Sequence, residues 1–565
     1  MSVPCLRAFI SAVFLLISVL VDQSFGQKDS YEEFSARVDS IFTAETASDA
    51  PGAAVAVIQH GNPIYKKCFG LANLEHKVAI TNKTVFNLAS VTKQFIALSV
   101  LLLEQGGKLR LDDDIHKYFP ELPEYESTVT LRNLLNQTSG LWEYSTMFRY
   151  YGGRNPVDYA SIKDVLALLK GQNQLLFAPG SQWKYCNTNY ALLGELVTRI
   201  TGESLASWTR KRVFEPLGMK QTLFLDDCFQ VIPNEAGNYY RTDGVYFKDP
   251  RNSDVRGPSY LYSTIDDMTL WLDNFRHRAV GGDSLIERMF QKSVLSDGSE
   301  SFYGFGLGNS ERDGRRTIGH AGQTGSFISM VIYVPEDELG IAVLANGRHI
   351  RAEPLAYQIL DLFYGKEEEQ EKAEQAAEPK LFISLDSTRM KGYGGAYLID
   401  GTPMKLFLSC QEKGLYGIFD GRGSDFFYPL SDSQFVNSGR NVSFIVHFGS
   451  DRKPVRLMLD MKGDTMWASR IDQPMMTSEQ LAVDYAGKYY CDALGIAYDV
   501  IVDDDKLVIR HHRYSDRPLQ LTDKDEFIGS IGIVHFSRNE QGLVDSFGIT
   551  DEDTNFRPLV FTRIW

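Results

Sequence analysis

A repeat in the last third of the chain constrains the fold more than any other feature. Tyr393-Gly394-Gly395-Ala396-Tyr397 recurs as Tyr485-Ala486-Gly487-Lys488-Tyr489. Further matches follow at a nearly constant offset: Leu415 with Leu507, Phe435 with Phe527, Ile445-Val446-His447-Phe448 with Ile533-Val534-His535-Phe536, and Arg470-Ile471 with Arg563-Ile564. Two tandem copies of one small module account for this order.

Each copy consists of short segments in which apolar and polar residues alternate, separated by Gly and Asp. Tyr498, Val500 and Val502, followed by Asp503-Asp504-Asp505, are typical of a half-buried strand and its turn. Closing such a sheet on itself removes its exposed edges. The sequence therefore predicts two antiparallel, lipocalin-like β-barrels, over residues 382–475 and 476–565.

The part of the chain before the repeat has a different pattern. Residues 27–365 alternate strand-like and helix-like segments, which predicts an α/β (α+β) domain with a central antiparallel sheet and a helical region. Residues 366–381 are dominated by Glu, Gln, Lys and Ala and predict a charged linker. A chain of 565 residues is also too long for one hydrophobic core, so several domains are expected.

The N-terminus is typical of a signal peptide. Arg7 precedes an apolar run from Ala8 to Val21, and Ser24 and Gly26 follow at the spacing that a signal peptidase recognises. The apolar run is shorter than the roughly 20 residues needed to span a bilayer. Residues 1–26 are therefore expected to be cleaved, which predicts a secreted or periplasmic protein with no membrane span after cleavage.

Charge and cysteine spacing exclude several kinds of partner. A net charge of -15 without clusters of Lys and Arg disfavours nucleic acids and anionic membrane surfaces. The cysteines after Cys5 are scattered, and the chain has no Cys-x-x-Cys or His-x-x-x-His spacing, so we expect neither a disulfide framework nor a metal site. No cofactor is expected, and the predicted partner is a small-molecule or peptide substrate.

The first group of residues that suggests chemistry opens a predicted buried helix. Val91 to Leu103 is apolar around most of the helix circumference, and Gly106-Gly107 supplies a stop. Ser90 lies at the start, where free backbone N–H groups and the helix dipole stabilise negative charge. Lys93, one turn later in the pattern Ser-x-x-Lys, returns to the same helix face. The same pattern at Ser181–Lys184 and Ser450–Lys453 shows that spacing alone is a weak indication.

Two further groups follow. Tyr185 and Asn187 are two residues apart in a turn-rich segment, so in an extended conformation both side chains enter one pocket. Gly319-His320-Ala321-Gly322-Gln323 precedes a strand-like segment and can form a strand edge whose N–H groups face a cleft. Taken singly, these residues are better explained as a core tyrosine and a turn histidine.

Together and in this order, the three groups resemble the class C β-lactamase-like and penicillin-binding-protein family of serine hydrolases, which includes DD-peptidases, D-aminopeptidases and esterases. The resemblance covers about Ser35 to Tyr364. It also takes in the segments 51–57, 86–90, 107–120, 134–141, 189–194 and 215–219. The two predicted barrels resemble those that follow the hydrolase domain in D-aminopeptidase-like members.

The resemblance implies a mechanism. Ser90 would attack a carbonyl carbon to form an acyl-enzyme, and Lys93 and Tyr185 would transfer protons. Which of these two is the general base stays open. Asn187 would orient both the substrate and Lys93.

The strand edge would complete the substrate site. His320, Gly322 and Gln323 would contact the substrate, and the backbone N–H groups of Ser90 and Gln323 would form the oxyanion hole.

Two departures from the family pattern limit the substrate class. His320 stands where lactamases and many DD-peptidases carry the lysine of Lys-Thr-Gly, so binding of a substrate carboxylate should be weaker. This favours esters, amides or D-amino acid peptides over β-lactams. Gln137-Thr138-Ser139-Gly140 replaces the usual His-Thr-Ser-Gly and is interpreted as structural. Sequons occur at Asn82, Asn136 and Asn441, and packing of the turn at residue 136 argues against its use.

Three alternatives remain. The nearest is a β-lactamase or DD-carboxypeptidase proper. A Ser-His-Asp hydrolase that uses His320 is disfavoured because the chain has no Gly-x-Ser-x-Gly elbow. The third is a catalytically inactive binding protein on the same fold, whose barrels bind a partner or support a homo-oligomer.

Overall fold

The computed structural model describes residues 31–148, 158–365 and 383–564, apart from short gaps at 243, 251, 384, 403, 412, 420–422, 438–441, 462–463, 473–474, 514, 530 and 551–558. These residues form two compact units. The second unit contains the C-terminal strands together with residues 142–148 and Leu168–Leu176, and the first contains the remaining residues up to 365. The predicted signal peptide, the predicted linker and Asn441 lie outside the described residues.

The first unit is built on a six-stranded antiparallel sheet. In sheet order its strands are Gly308–Arg312 (β12), Arg315–Thr324 (β13), Phe327–Val334 (β14), Leu339–Ala345 (β15), Ala53–Gln59 (β1) and Asn62–Phe69 (β2). The first and last strands of the sheet in sequence are neighbours, since Ala53 pairs with Ala345 and Gln59 with Leu339. All of β15 is buried, as its unbroken apolar sequence predicts for a central strand.

Short strands and helices make up the rest of the described chain up to residue 365, and of these the helix Tyr144–Thr146 and the end of the helix Ile162–Lys170 belong to the second unit. The strands are Leu71–Asn73 (β3), Val78–Ala79 (β4), Phe86–Asn87 (β5), Leu223–Phe224 (β6), Tyr239–Thr242 (β7), Val245–Lys248 (β8), Leu261–Ser263 (β9), Ser293–Val294 (β10) and Glu300–Ser301 (β11). The helices are residues 31–45 (α1), Thr92–Gln105 (α2), Leu131–Leu135 (α3), Tyr144–Thr146 (α4), Ile162–Lys170 (α5), Asn187–Thr201 (α6), Leu205–Thr209 (α7), Glu215–Leu217 (α8), Ile265–His277 (α9), Gly282–Phe290 (α10) and Ala352–Phe363 (α11).

Alternation along the strands gives the sheet two buried faces. Val55 and Val57 of β1 pack in one cluster with Val38 of α1 and Leu355 of α11. On the opposite face α9 packs against β1 and β15. Helix α2 contacts α6 and α10, and most of its side chains are buried around its circumference. The predicted central helix is therefore confirmed.

The second unit contains two closed eight-stranded barrels, as predicted. The first consists of Gly395–Ile399 (β16), Lys405–Gln411 (β17), Gly414–Phe419 (β18), Gly423–Pro429 (β19), Gln434–Asn437 (β20), Val442–Phe448 (β21), Pro454–Met461 (β22) and Asp464–Ile471 (β23). The second consists of Gly487–Cys491 (β24), Ile496–Asp503 (β25), Lys506–Arg510 (β26), Arg517–Asp523 (β27), Glu526–Gly529 (β28), Gly532–Arg538 (β29), Val544–Thr550 (β30) and Leu559–Arg563 (β31). A short helix precedes each barrel, Ser387–Tyr393 and Ser478–Tyr485.

The sequence repeat corresponds to repeated contacts. The Tyr397 hydroxyl donates to the carbonyl oxygen of Tyr393 at 3.0 Å, and the Tyr489 hydroxyl donates to that of Tyr485 at 2.8 Å. The guanidinium of Arg470 lies 5.7 Å from the Tyr397 ring centroid, and that of Arg563 lies 5.8 Å from the Tyr489 ring centroid. The repeated Tyr and Arg positions therefore make the same contacts in both barrels.

Two further observations concern the cysteines and the helices of the described residues. No disulfide joins the cysteines in the described part of the chain; Cys186 and Cys491 are buried, whereas Cys68, Cys228 and Cys410 are partly exposed. Within that same part, no helix combines the length and the apolar character needed to cross a membrane.

Candidate active site

Ser90 lies in a tight turn at the start of the central helix. A 3₁₀ segment, Ala89–Val91, leads directly into α2. Ala89 has a φ of +47°, a conformation that costs energy for any residue with a β-carbon and that is concentrated at functional sites. Its N–H donates to the side-chain oxygen of Asn87 at 2.8 Å. The neighbours of Ser90 are fully buried while Ser90 is partly exposed, so the turn presents its hydroxyl to the cleft.

Lys93 is fully buried and binds three oxygen atoms of the site. Its Nζ donates to Ser90 Oγ at 3.2 Å, to Asn187 Oδ1 at 2.8 Å and to the carbonyl oxygen of Pro258 at 2.9 Å. Nζ also lies 4.8 Å from the Tyr185 ring centroid, within range of a cation–π interaction. A lysine buried with such partners holds a fixed position, and it links the predicted Ser90, Tyr185 and Asn187 in one cluster.

Close backbone packing places the Pro258 carbonyl against Lys93. A β-carbon on Gly194 of α6 would lie 2.6 Å from the carbonyl oxygen of Arg256. Gly257 has a φ of +117°, and a β-carbon there would lie 2.1 Å from the Tyr190 carbonyl oxygen. Only glycine fits either position, and together the two allow the segment before Pro258 to lie directly on α6.

The turn around Gln137 holds the Tyr185 segment in place. The Gln137 carbonyl oxygen accepts the Lys184 N–H at 2.9 Å. Its side-chain Oε1 accepts the Cys186 N–H at 3.0 Å and an Asn189 Nδ2–H at 2.7 Å. Both residues that flank Tyr185 are therefore tied to the buried residue Gln137, Lys184 through its carbonyl oxygen and Cys186 through its side chain, in agreement with the structural interpretation of residues 137–140. Asn136 in the same turn is only 6% exposed, in keeping with the packing expected there.

His320 lies in the site with both ring nitrogens hydrogen-bonded. Nδ1 lies 2.5 Å from the carbonyl oxygen of Ala321, which can only accept, so Nδ1 carries the proton. Nε2 must then be an acceptor, and the Tyr303 hydroxyl donates to it at 2.9 Å. Burial, together with the charge of Lys93, lowers the pKa of His320 to about 3. His320 is therefore uncharged and forms part of the wall of the site, and both of its ring nitrogens are hydrogen-bonded to other atoms of the protein.

Replacing His320 should make the fold less sensitive to acid. Between its folded pKa of about 3 and the ordinary histidine value, the unfolded chain binds a proton that the folded chain does not. Stability that depends on neutral His320 is therefore complete above the ordinary value and is lost as the pH falls toward 3. We expect the drop in Tm between pH 7 and pH 4.5 to be smaller for His320→Gln than for wild type. An equal drop would contradict this, and His76→Gln, at an exposed position, is the control.

Gly322 allows strand β13 to approach the Ser90 turn. A β-carbon on Gly322 would lie 2.7 Å from the Leu88 carbonyl oxygen and 3.0 Å from the Ser90 nitrogen. Ser329 on the neighbouring strand reinforces this approach, since its hydroxyl donates to the same Leu88 carbonyl at 2.7 Å. Gln323, the next residue, has an exposed side chain. The structure thus brings residue 322 to the backbone nitrogen of Ser90, whereas the role of the Gln323 N–H stays a prediction.

Sequence reasoning did not identify Tyr303 or Pro258 as parts of this site. Tyr303 is buried, which raises its pKa far above the usual range and keeps its hydroxyl protonated. It lies in a segment where glycine recurs at 304, 306 and 308, and a β-carbon on Gly306 would lie 2.6 Å from the Lys93 carbonyl oxygen. Glycines that recur in this way indicate that the backbone packs closely against another segment. They are the sequence signal that could have placed Tyr303 in the site.

A cavity of about 230 Å³ adjoins the cluster. Tyr185 and His320 belong to its wall, and so do aromatic residues that the predicted motifs do not include. The other lining residues are Trp183, Phe302, Tyr303, Gly308, Ser310, Thr317, Ile318, Gly319, Ala321, Met330, Ile332, Glu353 and Tyr357.

One group of potential metal ligands occurs among the described residues, outside this cluster. Asp227, Cys228 and Asp254 each place a ligand atom within 4.8 Å of the others. The Asp254 carboxylate accepts hydrogen bonds from Arg256 and Tyr159, both at 2.7 Å. Burial, with the nearby carboxylates, raises the pKa of Cys228 to about 11. These contacts account for the group without a metal.

Residues 38–362 match the beta-lactamase family. The D-aminopeptidases of Gluconobacter oxydans (strain 621H) and Brucella ovis are 28% and 30% identical to this chain over 347 and 301 residues. The alignments cover 61% and 52% of this chain and 65% and 56% of the relatives. The chain thus matches less than two thirds of the length of these curated relatives.

Two solved structures share the fold at 22% identity. The octameric penicillin-binding protein homologue from Pyrococcus abyssi has a TM-score of 0.55 and covers 77% of this chain and 99% of its own. The D-amino acid amidase from Ochrobactrum anthropi SV3 has a TM-score of 0.51 and covers 59% of this chain and 99% of its own. Because the family match spans more than half of the 565 residues and contains the whole Ser90 cluster, this chain belongs to the beta-lactamase family.

Proposed function

We propose that this protein is an exported serine hydrolase that forms an acyl-enzyme on Ser90 and acts on esters, amides or D-amino acid peptides. One observation carries the proposal: the buried Lys93 ammonium contacts both Ser90 Oγ and Asn187 Oδ1 beside the Tyr185 ring. A serine hydroxyl becomes an effective nucleophile only when a neighbouring group takes its proton, and the cluster offers two candidates once deprotonated, the Lys93 amine and the Tyr185 phenolate.

In the proposed reaction, Ser90 Oγ adds to the substrate carbonyl carbon, and its proton passes either to Lys93 in its neutral amine form or to Tyr185 in its phenolate form. The same proton is then delivered to the leaving nitrogen or oxygen as the bond between it and the carbonyl carbon breaks. Water repeats the sequence on the acyl-enzyme, which releases the acid and restores the Ser90 hydroxyl. Asn187 keeps Lys93 in place throughout through its 2.8 Å contact.

The negative oxygen of each tetrahedral intermediate needs preorganised donors. The Ser90 N–H lies at the start of α2, where the helix dipole favours negative charge. The approach of β13 at Gly322 brings the Gln323 segment to the same place, and we assign the second donor to the Gln323 N–H.

The state of His320 supports the substrate class. A neutral imidazole with both nitrogens engaged offers no positive charge to a substrate carboxylate, unlike the lysine of the β-lactamase pattern. The matched relatives named D-aminopeptidase support D-configured amide substrates. The second candidate, a β-lactamase or DD-carboxypeptidase proper, is favoured by the family match alone. A secreted or periplasmic location rests on the N-terminal apolar segment.

Self-association is a separate part of the proposal. The Pyrococcus abyssi homologue is described as octameric, and a homo-oligomer is the corresponding expectation for this chain. Light scattering of the purified protein tests whether it is a homo-oligomer. A protein that is monomeric at all concentrations would contradict this expectation.

A substrate profile tests the function. Purified protein is assayed with p-nitrophenyl acetate, the p-nitroanilides of D-alanine and L-alanine, and a chromogenic cephalosporin. We expect the ester and the D-anilide to be hydrolysed with kcat/KM at least about 100-fold above that for the cephalosporin, a difference of roughly 3 kcal/mol in transition-state binding. A cephalosporin that is the best substrate would favour the β-lactamase candidate. Absence of all hydrolysis would favour the inactive binding protein.

A further inference from the structure

The aromatic cavity beside the Ser90 cluster has no role in the acyl-transfer steps. We infer that it is the subsite for a bulky apolar, preferably aromatic, side chain of the substrate. The inference rests on the proposed function, because it names which acyl substrates that function selects. Tyr185 and His320, whose ring centroids lie 6.0 Å apart, belong both to the cluster and to the cavity wall, so the cavity adjoins the cluster at these two rings.

A pair of glycines forms part of the cavity wall. Gly308 of β12 is paired with Gly319 of β13, so neither member of this pair contributes a side chain to the wall. A β-carbon on Gly308 would meet its nearest neighbours, the Gly319 oxygen and the Phe302 ring, at 3.5 Å, which is ordinary contact distance. Space at Gly308 is therefore available to a ligand rather than required by backbone packing.

The walls suit an aromatic occupant. The Trp183 and Phe302 ring centroids lie 4.8 Å apart, and Tyr185 meets Tyr303 edge-to-face at 6.4 Å. Aromatic side chains in such arrangements offer further rings both area and favourable edge contacts. The volume of about 230 Å³ also suffices, because an apolar cavity of about 150 Å³ already accommodates benzene.

The chemistry of the wall argues against a small polar side chain. Met330 and Ile332 add apolar surface from β14, and His320 adds a neutral ring with both nitrogens occupied. The lining includes one carboxylate, Glu353, whose side chain is exposed at the start of α11. If the enzyme prefers a substrate with a basic side chain, that side chain would bind Glu353 instead of the aromatic wall. A substrate with a D-lysine side chain distinguishes this outcome.

The test compares p-nitroanilides of D-phenylalanine, D-alanine and D-lysine with wild type and Gly308→Leu. For wild type we expect kcat/KM for D-phenylalanine to exceed that for D-alanine by about tenfold or more. Gly308→Leu fills the cavity and should lower this ratio by about tenfold or more. Gly106→Leu adds the same side chain at an exposed position and should keep the wild-type ratio.

The outcomes are distinct. No hydrolysis of any anilide or of p-nitrophenyl acetate would mean that the proposed function fails. Hydrolysis with equal kcat/KM for D-alanine and D-phenylalanine would overturn only the subsite, and so would preference for D-lysine. If Gly308→Leu does not fold, inhibition of wild-type ester hydrolysis by free D-phenylalanine and D-alanine decides: stronger inhibition by D-phenylalanine supports the subsite, and equal inhibition overturns it.

Discussion

Replacement of Ser90 with alanine is expected to lower kcat for ester and D-anilide hydrolysis by about 10⁶-fold, the loss expected when the nucleophile of a serine hydrolase is removed. The physical reason is that the acyl-enzyme cannot form without Oγ, while the backbone N–H groups and the substrate subsite remain. A residual rate above that of water is therefore expected. Initial rates at equal concentrations of folded protein measure the effect.

The chain provides a matched control for this substitution. Ser450 begins another Ser-x-x-Lys pattern, but it lies in a turn before β22 of the first barrel and is exposed. Ser450→Ala should retain the wild-type rates. Equal rates for Ser90→Ala and wild type would show that Ser90 is not the nucleophile, whatever the family match.

Replacement of Lys93 with methionine is expected to lower kcat by about 10⁴-fold, the second largest effect that we expect. Methionine fills similar volume but removes the ammonium that contacts Ser90 Oγ, Asn187 Oδ1 and the Pro258 oxygen. The proton path from Ser90 is then interrupted. The loss of a donor to a buried carbonyl should also destabilise the fold by about 1–3 kcal/mol, partly offset because a buried charge is removed.

Rates and thermal unfolding of the same samples separate these two effects. Lys453→Met in the barrel pattern is the control, because the Lys453 side chain is 80% exposed. A folded Lys93→Met protein with near wild-type kcat would contradict the proton-transfer role and leave Tyr185 as the sole candidate base.

The sequence predicted the parts of the site that local patterns determine. Ser90 and Lys93 are one helical turn apart, and Tyr185 and Asn187 are two residues apart, so each pair shares a side for geometric reasons. The barrels were predictable as well, because the period-two alternation and the repeated Tyr and Arg positions recur in both copies.

The contacts that join these pairs were not predictable. Pro258 reaches Lys93 only because Gly194 and Gly257 permit a close approach between segments far apart in sequence. The hydrogen bond that His320 Nε2 accepts comes from Tyr303. The position of Tyr303 follows from the packing of a glycine-rich segment against α2. Such contacts depend on tertiary packing between distant segments, and no local pattern in a single sequence predicts it.

Labelling of the folded wild-type protein with a fluorophosphonate probe, followed by peptide mass spectrometry, shows whether Ser90 is an activated nucleophile. The probe reacts with activated serine hydroxyls, and activation at Ser90 is what its contact with Lys93 implies. We expect one covalent adduct per chain, on the peptide that contains Ser90, and its loss in Lys93→Met. An adduct on another residue, or an unlabelled folded protein, would contradict it.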